Sequence, residues 1–273
     1  MSGGDVAKPS GLPVGDLLVD RTITVDLPVP PSALAIGAHP DDIEFGCGAT
    51  LAKWARAGCR IHHLVLTDGS KGSWNPDEDL DALIAARAVE SRAAAAVIDG
   101  TDIDAALDDR VLFLGRVDGE LVNGDGERRE VAAVIRRLSP AVVLAHDPWR
   151  RYRLHPDHRN AGFLSLDALV AARDPHFFPD LGIAPHRPEA LLLFEADLPN
   201  HVEDVTGFEA VKIDALLCHA SQGVSTMGFE PGPPGQRSPS VEAFGAKVRD
   251  QLSAHGALAS IRLGEAFHLI NEL

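Results

Sequence analysis

The stretch Ala33–Asp42, ALAIGAHPDD, runs from an apolar sequence straight into a histidine, a proline and two adjacent aspartates. An imidazole and a carboxylate suit zinc. Neighbouring side chains diverge at a strand end, so if Asp42 turns toward a metal with His39, Asp41 is left beside the ion and free to act as a base. A second cluster answers the first. Arg153–Gly162, RLHPDHRNAG, places His155, Asp157 and His158 after another apolar run, Ala141–Ala145, which itself ends in His146 and Asp147. A third ligand from this cluster would leave an open position for water, which zinc acidifies to a pKa of about 7, and Asp41 could then take its proton. Pro156 fits the first turn of a helix, and histidines three residues apart can face one cleft. One of His155 and His158 can bind the metal while the other serves the reaction, and Asp157 could orient His155 through a ring N–H. Strand-end and helix N-caps are the competing explanation for each cluster alone. Two His/Asp clusters at two strand ends favour one site assembled from distant parts of the chain.

The elements that would position these residues alternate. Strands are expected at Ala33–Ala38, Ile61–Thr67, Val111–Leu114, Ala141–His146 and Ala190–Ala196. Helices are expected at Cys47–Ala57, Asp79–Ile98, Arg128–Leu138, about Asp157–Ala172, Glu209–Gln222 and about Val241–His255. This βα rhythm argues for an α/β fold, three layers deep, with a mostly parallel sheet, and in such sheets ligands bind beyond the carboxyl ends of the strands. Residues 1–30, rich in Pro, Gly and Asp, read as an N-terminal arm, and residues 31–273 as a single catalytic domain. The prolines and glycines of Gly228–Pro239 exclude regular structure there and make a loop that could cap the site.

Composition narrows the class. A formal charge of −15 and a pI near 5.1 disfavour a nucleic-acid footprint. No apolar run is long enough to span a membrane and MSGGDVAKPSG has no signal-peptide pattern, so a cytoplasmic protein is expected. Cys47, Cys59 and Cys218 are odd in number and lie in apolar surroundings, which suits buried free thiols.

Several segments together resemble the LmbE/PIG-L family of zinc-dependent N-deacetylases. They are AHPDDIEFGCGATLAKWARAG (38–58), LTDGSKG (66–72), Arg87 and Glu90 in RAVE, Asp118 and Gly119 in VDGEL, HPDHRNAG (155–162) and KIDALLCHASQ (212–222), covering most of residues 33–222. The resemblance implies a Rossmann-like fold and hydrolysis of the linear amide of a small N-acetylated amino sugar or its conjugate. It implies one Zn2+ per chain, with another divalent metal such as Fe2+ as the alternative, held by His39, Asp42 and His158. Asp41 is then the general base, His155 the electrophilic stabiliser or acid, Asp157 its support, and Arg87 a ligand of sugar hydroxyls.

Other residues carry two readings each. Arg87 and Glu90 are otherwise a solvent-facing pair on one helix. Asp118 is a turn residue or a second acceptor for substrate hydroxyls, and Asp68 a turn or site residue. His219 is a core histidine or a group acting in the transition state or across a subunit boundary, and a homo-oligomer stays open. Where some family members have a Tyr two residues before the HPDH histidine, this chain has Arg153, with Tyr152 one position off. Trp74 and Trp149 could stack on a sugar ring or simply pack. A non-haem iron oxygenase, which also uses two histidines and a carboxylate, and a non-catalytic sugar- or metal-binding protein are the competing functions. The oxygenase would call for a strand-rich fold. Binding alone would need neither Asp41 nor His155. A dinucleotide site is weaker, since Gly46-Cys47-Gly48 lacks the third glycine and follows an acidic turn.

Overall fold

A computed structural model describes residues 22–101, 109–230, 238–271 and 273. Period-two alternation of apolar residues sets the layers. On β2 (Ser32–Gly37), Leu34 and Ile36 face one side of the sheet and Ala33 and Ala35 the other. The same split recurs on β3 (Arg60–Thr67) and β5 (Val142–His146), so both faces must be covered by helices. On one face lie α3 (Asp125–Leu138) and α4 (Pro156–Arg173), which bury Val131, Ile135, Leu164 and Ala168. On the other, α1 (Asp42–Arg56), α2 (Leu80–Asp99) and α5 (Glu209–Leu217) bury Leu51, Trp54, Ile98 and Ala215. The last helix, α6 (Pro239–Ala257), packs Val241, Phe244 and Val248 against Ile213 and Leu216 of α5.

Eight strands form one sheet in the order β1-β7-β8-β6-β5-β2-β3-β4. The remaining strands are β1 (Thr24–Val25), β4 (Val111–Arg116), β6 (Ala190–Phe194), β7 (His201–Asp204) and β8 (Gly264–Ile270). Every pairing is parallel except those of β8 with β6 and β7. The mostly parallel, helix-flanked architecture expected from the βα rhythm is therefore present, and the expected strands from Ala33 to Ala196 all appear. β7 and β8 were not anticipated. β7 reads HVED, and its buried polar residues pair with each other: His201 Nε2 lies 3.0 Å from Glu203 Oε1, and Lys53 Nζ donates to Glu203 Oε2 at 2.8 Å. Satisfied polar groups replaced the apolar run that marks a strand. β1, inside the expected arm, pairs with β7 and is held there by Leu27 N donating to Glu203 Oε1 at 2.8 Å.

Two helix boundaries differ in ways that matter for the site. α1 starts at Asp42, not Cys47: acidic Asp42 and Glu44 favour a first helical turn despite Gly46 and Gly48, and the helix kinks at Cys47 (φ −148°). α5 ends at Leu217, and the chain continues as a 3-10 turn, Ala220–Gln222, and a π-helical turn, Gly223–Met227. Glu90 holds this segment, accepting from Ser221 N at 2.8 Å and Ser221 Oγ at 2.6 Å. Residues 231–237 of the expected capping loop lie outside the described residues. Among the described residues no helix is long and apolar enough to cross a membrane. Cys47 and Cys59 are buried, Cys218 is partly buried, and all three are free thiols.

The seat of α4 on β5 depends on Gly162. A Cβ there would lie 2.7 Å from His146 O and 2.8 Å from Pro148 N, both backbone atoms that cannot swing aside. Gly162→Ala is expected to destabilise the fold by about 1–3 kcal/mol through overpacking, measured as a lower urea midpoint. An unchanged midpoint would show that the helix can shift at no cost.

Candidate metal centre and catalytic cleft

Parallel strands place the carboxyl ends of β2, β5 and β3 side by side. The HPDD turn leaves β2 there, His146 closes β5, and the N-terminus of α4 brings in HPDH, with Pro156 in the first turn and His155 as N-cap. His39 Nδ1 lies 3.2 Å from Asp42 Oδ2 and 3.2 Å from His158 Nε2, and His158 Nε2 lies 3.3 Å from Asp42 Oδ1. Ligand bonds of about 2.0–2.1 Å in a tetrahedron put neighbouring ligand atoms about 3.3–3.4 Å apart. His39 and His158 flank the Asp42 carboxylate on different oxygens, and among the described residues the groups whose donor atoms lie close enough together to hold a metal ion are His39, His155 and His158; Asp42, His146 and His158; and His39, Asp118 and Asp157.

The back of the centre is as ordered as the front. His39 Nε2 lies 3.1 Å from Asp118 Oδ1 and 3.3 Å from Asp157 Oδ2. Asp157 is fully buried, and its carboxylate also accepts from Gly119 N at 2.6 Å and Leu121 N at 3.2 Å. These contacts aim the Nδ1 lone pair of His39 at Asp42 and His158. Burial alone would lower the His39 pKa, but Asp118, Asp157 and Asp42 outweigh it and push it up to about 12. His158 and His146 hold the buried Asp42 carboxyl well below the usual range.

Asp41 stands apart from the three. It takes φ 113°, a left-handed conformation that costs a non-glycine residue about 1–3 kcal/mol, and it lines the cleft. Burial pushes its carboxyl up to about 6, against the opposing charge of Arg87. Arg87 secures the turn: Nη2 donates to Pro40 O at 2.6 Å and approaches Asp41 Oδ2 at 3.4 Å, while Nη1 donates to Gly69 O at 2.8 Å. A Cβ on Gly69 or Gly72 would lie 2.5 Å or 2.3 Å from the Arg87 side chain, so two glycines make room for the guanidinium.

Some expectations need correction. Asp157 reaches His155 through its backbone, not its carboxylate: its N donates to His155 Nδ1 at 3.3 Å, its carboxylate faces His39, and the carboxylate near His155 Nε2, at 3.9 Å, belongs to Asp118. Asp118 and Arg87 both line the cleft as expected; Asp118 is also engaged with His39 and Lys71 N, and Arg87 with backbone carbonyls and Asp41, while Arg87 Nε has no partner among the described residues. Nor is Arg87 a surface partner of Glu90, since it is buried and Glu90 serves Ser221. Tyr152 is 93% exposed, and Arg153 points beneath the centre, donating to Glu195 Oε2 at 2.7 Å and to His146 Nδ1 at 2.9 Å. Trp149 packs edge-on against Phe163, away from the cleft. Asp68 is a turn residue whose Oδ1 accepts from Ser70 N and Asp118 N. His219 is buried in the core, 3.4 Å from Glu44 Oε2.

His146, Arg153 and Glu195 form a group that the motifs did not assign. His146 Nδ1 lies 2.9 Å from Arg153 Nη1 and 3.3 Å from Glu195 Oε2, and its Nε2 lies 3.2 Å from Asp42 Oδ2; against the burial of the ring, the charges of Asp42 and Glu195 raise its pKa. The one visible signal was the histidine ending an apolar run.

Over the centre lies a cleft of about 430 Å³. His155, partly exposed, reaches its floor, where burial and the charges of His39 and His158 lower its pKa and favour the neutral ring. Polar walls come from Gln222, Ser225, Thr226 and Gln251, and Trp74 stands on the rim.

Residues 34–169 match the model of PIG-L, described as GlcNAc-PI de-N-acetylase. The diacetylchitobiose deacetylase of Thermococcus kodakarensis is 36% identical over 192 residues, 69% of each chain. The chain belongs to the PIG-L family. A 1D-myo-inositol 2-acetamido-2-deoxy-alpha-D-glucopyranoside deacetylase of Streptomyces avermitilis is 31% identical over 175 residues, covering 55% of this chain and 56% of that relative. Among solved structures, the N,N'-diacetylchitobiose deacetylase of Pyrococcus horikoshii superposes with a TM-score of 0.75 at 26% identity, covering 89% of this chain and 84% of that one. This PIG-L member carries its entire His/Asp centre, from His39 to His158, within the matched residues.

The backing of His39 by Asp157 has a measurable consequence. Asp157→Asn should weaken Zn2+ binding by about 10- to 100-fold in a competitive chelator titration, because a partner of the ring N–H is lost. Unchanged affinity with reduced turnover would return Asp157 to His155.

Proposed function

We propose that this protein hydrolyses the acetamido group of an N-acetylated amino sugar or its conjugate, releasing acetate and a free amine, with one zinc ion held by His39, Asp42 and His158. The observation that carries this reading is the division of two adjacent carboxylates. Asp42 turns to the two imidazoles, while Asp41 is twisted into the cleft with its pKa raised toward neutrality. A carboxylate so poised is matched to general base work near pH 7. Zinc bound there would supply Lewis acidity, polarising the acetyl carbonyl and acidifying water.

The chain's own groups account for the rest. Asp41 Oδ takes a proton from water as the new C–O bond forms, and Arg87 keeps the base in place and its charge tolerable. Neutral His155, with Asp118 beyond its Nε2, faces the developing oxyanion. As the C–N bond breaks, Asp41 hands the proton it took from water to the leaving nitrogen, and the neutral His155 ring stays as the oxyanion's partner. His146, locked by Arg153 and Glu195, holds Asp42 in place. The oxygenase alternative called for a strand-rich fold, which a mostly parallel sheet between helical layers is not. A pure binding protein would have no use for a strained, pKa-shifted Asp41 beside the ligand set. In the same proposal residues 31–273 act as one catalytic unit, and its three free thiols are in keeping with a reducing cytoplasmic setting.

Zinc-loaded protein incubated with N-acetylglucosamine and its conjugates should release acetate and primary amine in equal amounts, and removing the metal with a chelator should abolish this. Asp41→Asn should retain zinc by elemental analysis while kcat falls roughly 10²–10⁴-fold. A metal-replete Asp41→Asn protein turning over at the wild-type rate would remove Asp41 from the mechanism.

A further inference from the structure

Helix α1 breaks one turn after it starts, and a buried ion pair fills the break. Cys47 leaves helical geometry at φ −148° and ψ 15°, which separates the turn of residues 42–46 from the rest of the helix. In an unbroken helix Phe45 O would accept from Ala49 N. Here Lys212 of α5 donates from Nζ to Phe45 O at 2.6 Å, while Glu265 of β8 accepts from Ala49 N at 3.1 Å and from Thr50 N at 2.7 Å. Lys212 Nζ lies 2.5 Å from Glu265 Oε1. The two side chains thus form one strut, serving a carbonyl before the break and amides after it. Both are almost wholly buried, at 3% and 1% exposure.

Stability is a weak reason for such a pair. Replacing a buried ion pair by apolar residues of similar size is often neutral or stabilising, because two charges must otherwise be stripped of water. Its location offers a better one. The short turn ahead of the break carries Asp42, and residues 40–45 are gripped at both ends through their carbonyls: Arg87 of α2 donates to Pro40 O at 2.6 Å, and Lys212 does the same for Phe45 O. Asp42 lies between the two grips. Packing alone fixes this turn incompletely. Gly46 sits so close to Phe194 that a Cβ would lie 2.5 Å from the ring, yet a hollow of about 160 Å³ also borders Phe45, Gly46, Lys212 and Glu265.

We propose that Lys212 and Glu265 are positioning residues of the metal centre, setting the detached first turn of α1 so that Asp42 meets His39 and His158. This rests on the metal-centre reading above. The test measures Zn2+ affinity by chelator competition, and the visible spectrum of the Co2+-substituted protein as a report on ligand geometry, in wild type, Lys212→Met/Glu265→Leu, Glu265→Gln and Leu51→Ala. Leu51 is buried in the same helix beyond the break, so its loss lowers stability without touching the strut. The apolar double variant should keep a urea midpoint near that of wild type, yet bind zinc about tenfold or more weakly, as when groups that orient metal ligands are lost, and alter the Co2+ spectrum. Glu265→Gln, nearly isosteric, should show the same loss and carries the test alone if the double variant does not fold. Leu51→Ala should bind zinc as wild type does. Wild-type affinity and spectrum in the strut variants, or an equal loss in Leu51→Ala, overturns the positioning role. Wild-type protein that binds no zinc would remove the metal centre itself and the strut's role with it. Zinc binding without acetate release would sink the hydrolysis and leave that role standing.

Discussion

Negative charge packed into a dry place is the constraint on which the rest of this structure depends. Asp41, Asp42, Asp118 and Asp157 are all buried around one imidazole, and an unpaired buried carboxylate costs several kcal/mol. The fold answers each one separately. Asp42 accepts from His39 N at 2.7 Å, Asp157 from Gly119 N and Leu121 N, Asp118 from Lys71 N, and Asp41 lies against Arg87. Asp42 and Asp157 also occupy the first turns of α1 and α4, where the helix dipole favours a negative charge. What these pairings leave unanswered is charge at the point between His39, Asp42 and His158. In the proposed function a cation at that point would complete the balance.

The same logic explains where the backbone is strained. A helix that begins at Asp42 directly after a strand must turn within HPDD, and Asp41 bears that turn at φ 113°. Relaxing it would swing one carboxylate away from the cleft. Arg87 prevents this by bonding Pro40 O and approaching Asp41 at once, and it fits only because Gly69 and Gly72 carry no Cβ. Strain at the base is thus held by a residue on a different helix, forty-odd positions away in sequence.

How much of this could be read from the chain follows from the range of the interactions. His39, Asp41 and Asp42 are adjacent, as are His155 and His158, so their types and spacing were enough to bring them to one centre. The alternation of apolar runs likewise gave the strands and the helix-covered sheet. Asp157 was legible as a carboxylate of the site but not as the partner of His39: His155, two positions away, competes with a histidine 118 positions away, and only the start of α4 decides between them. Arg87, His146, Arg153 and Glu195 depend on contacts across 46, 104, 7 and 42 positions, which no local pattern announces. β7 escaped for a related reason, since its buried His201 and Glu203 satisfy each other and leave no apolar signature.

The family match holds the whole centre but only part of the cleft wall. The centre lies wholly within residues 34–169, whereas Gln222, Ser225, Thr226 and Gln251, which wall the cleft, lie beyond it. α2 joins the two parts. One turn of it carries Arg87, which secures the base, and Glu90, which clamps the π-helical turn through Ser221. A rotation of that helix would disturb base and wall together, so the cleft keeps its shape relative to Asp41 as a packed unit. The His/Asp groups are therefore fixed by the charge balance of the centre itself, while the segment after α5 sets part of what the cleft presents to the rest of a substrate. That separation is how one fold can retain a single reaction and change its target.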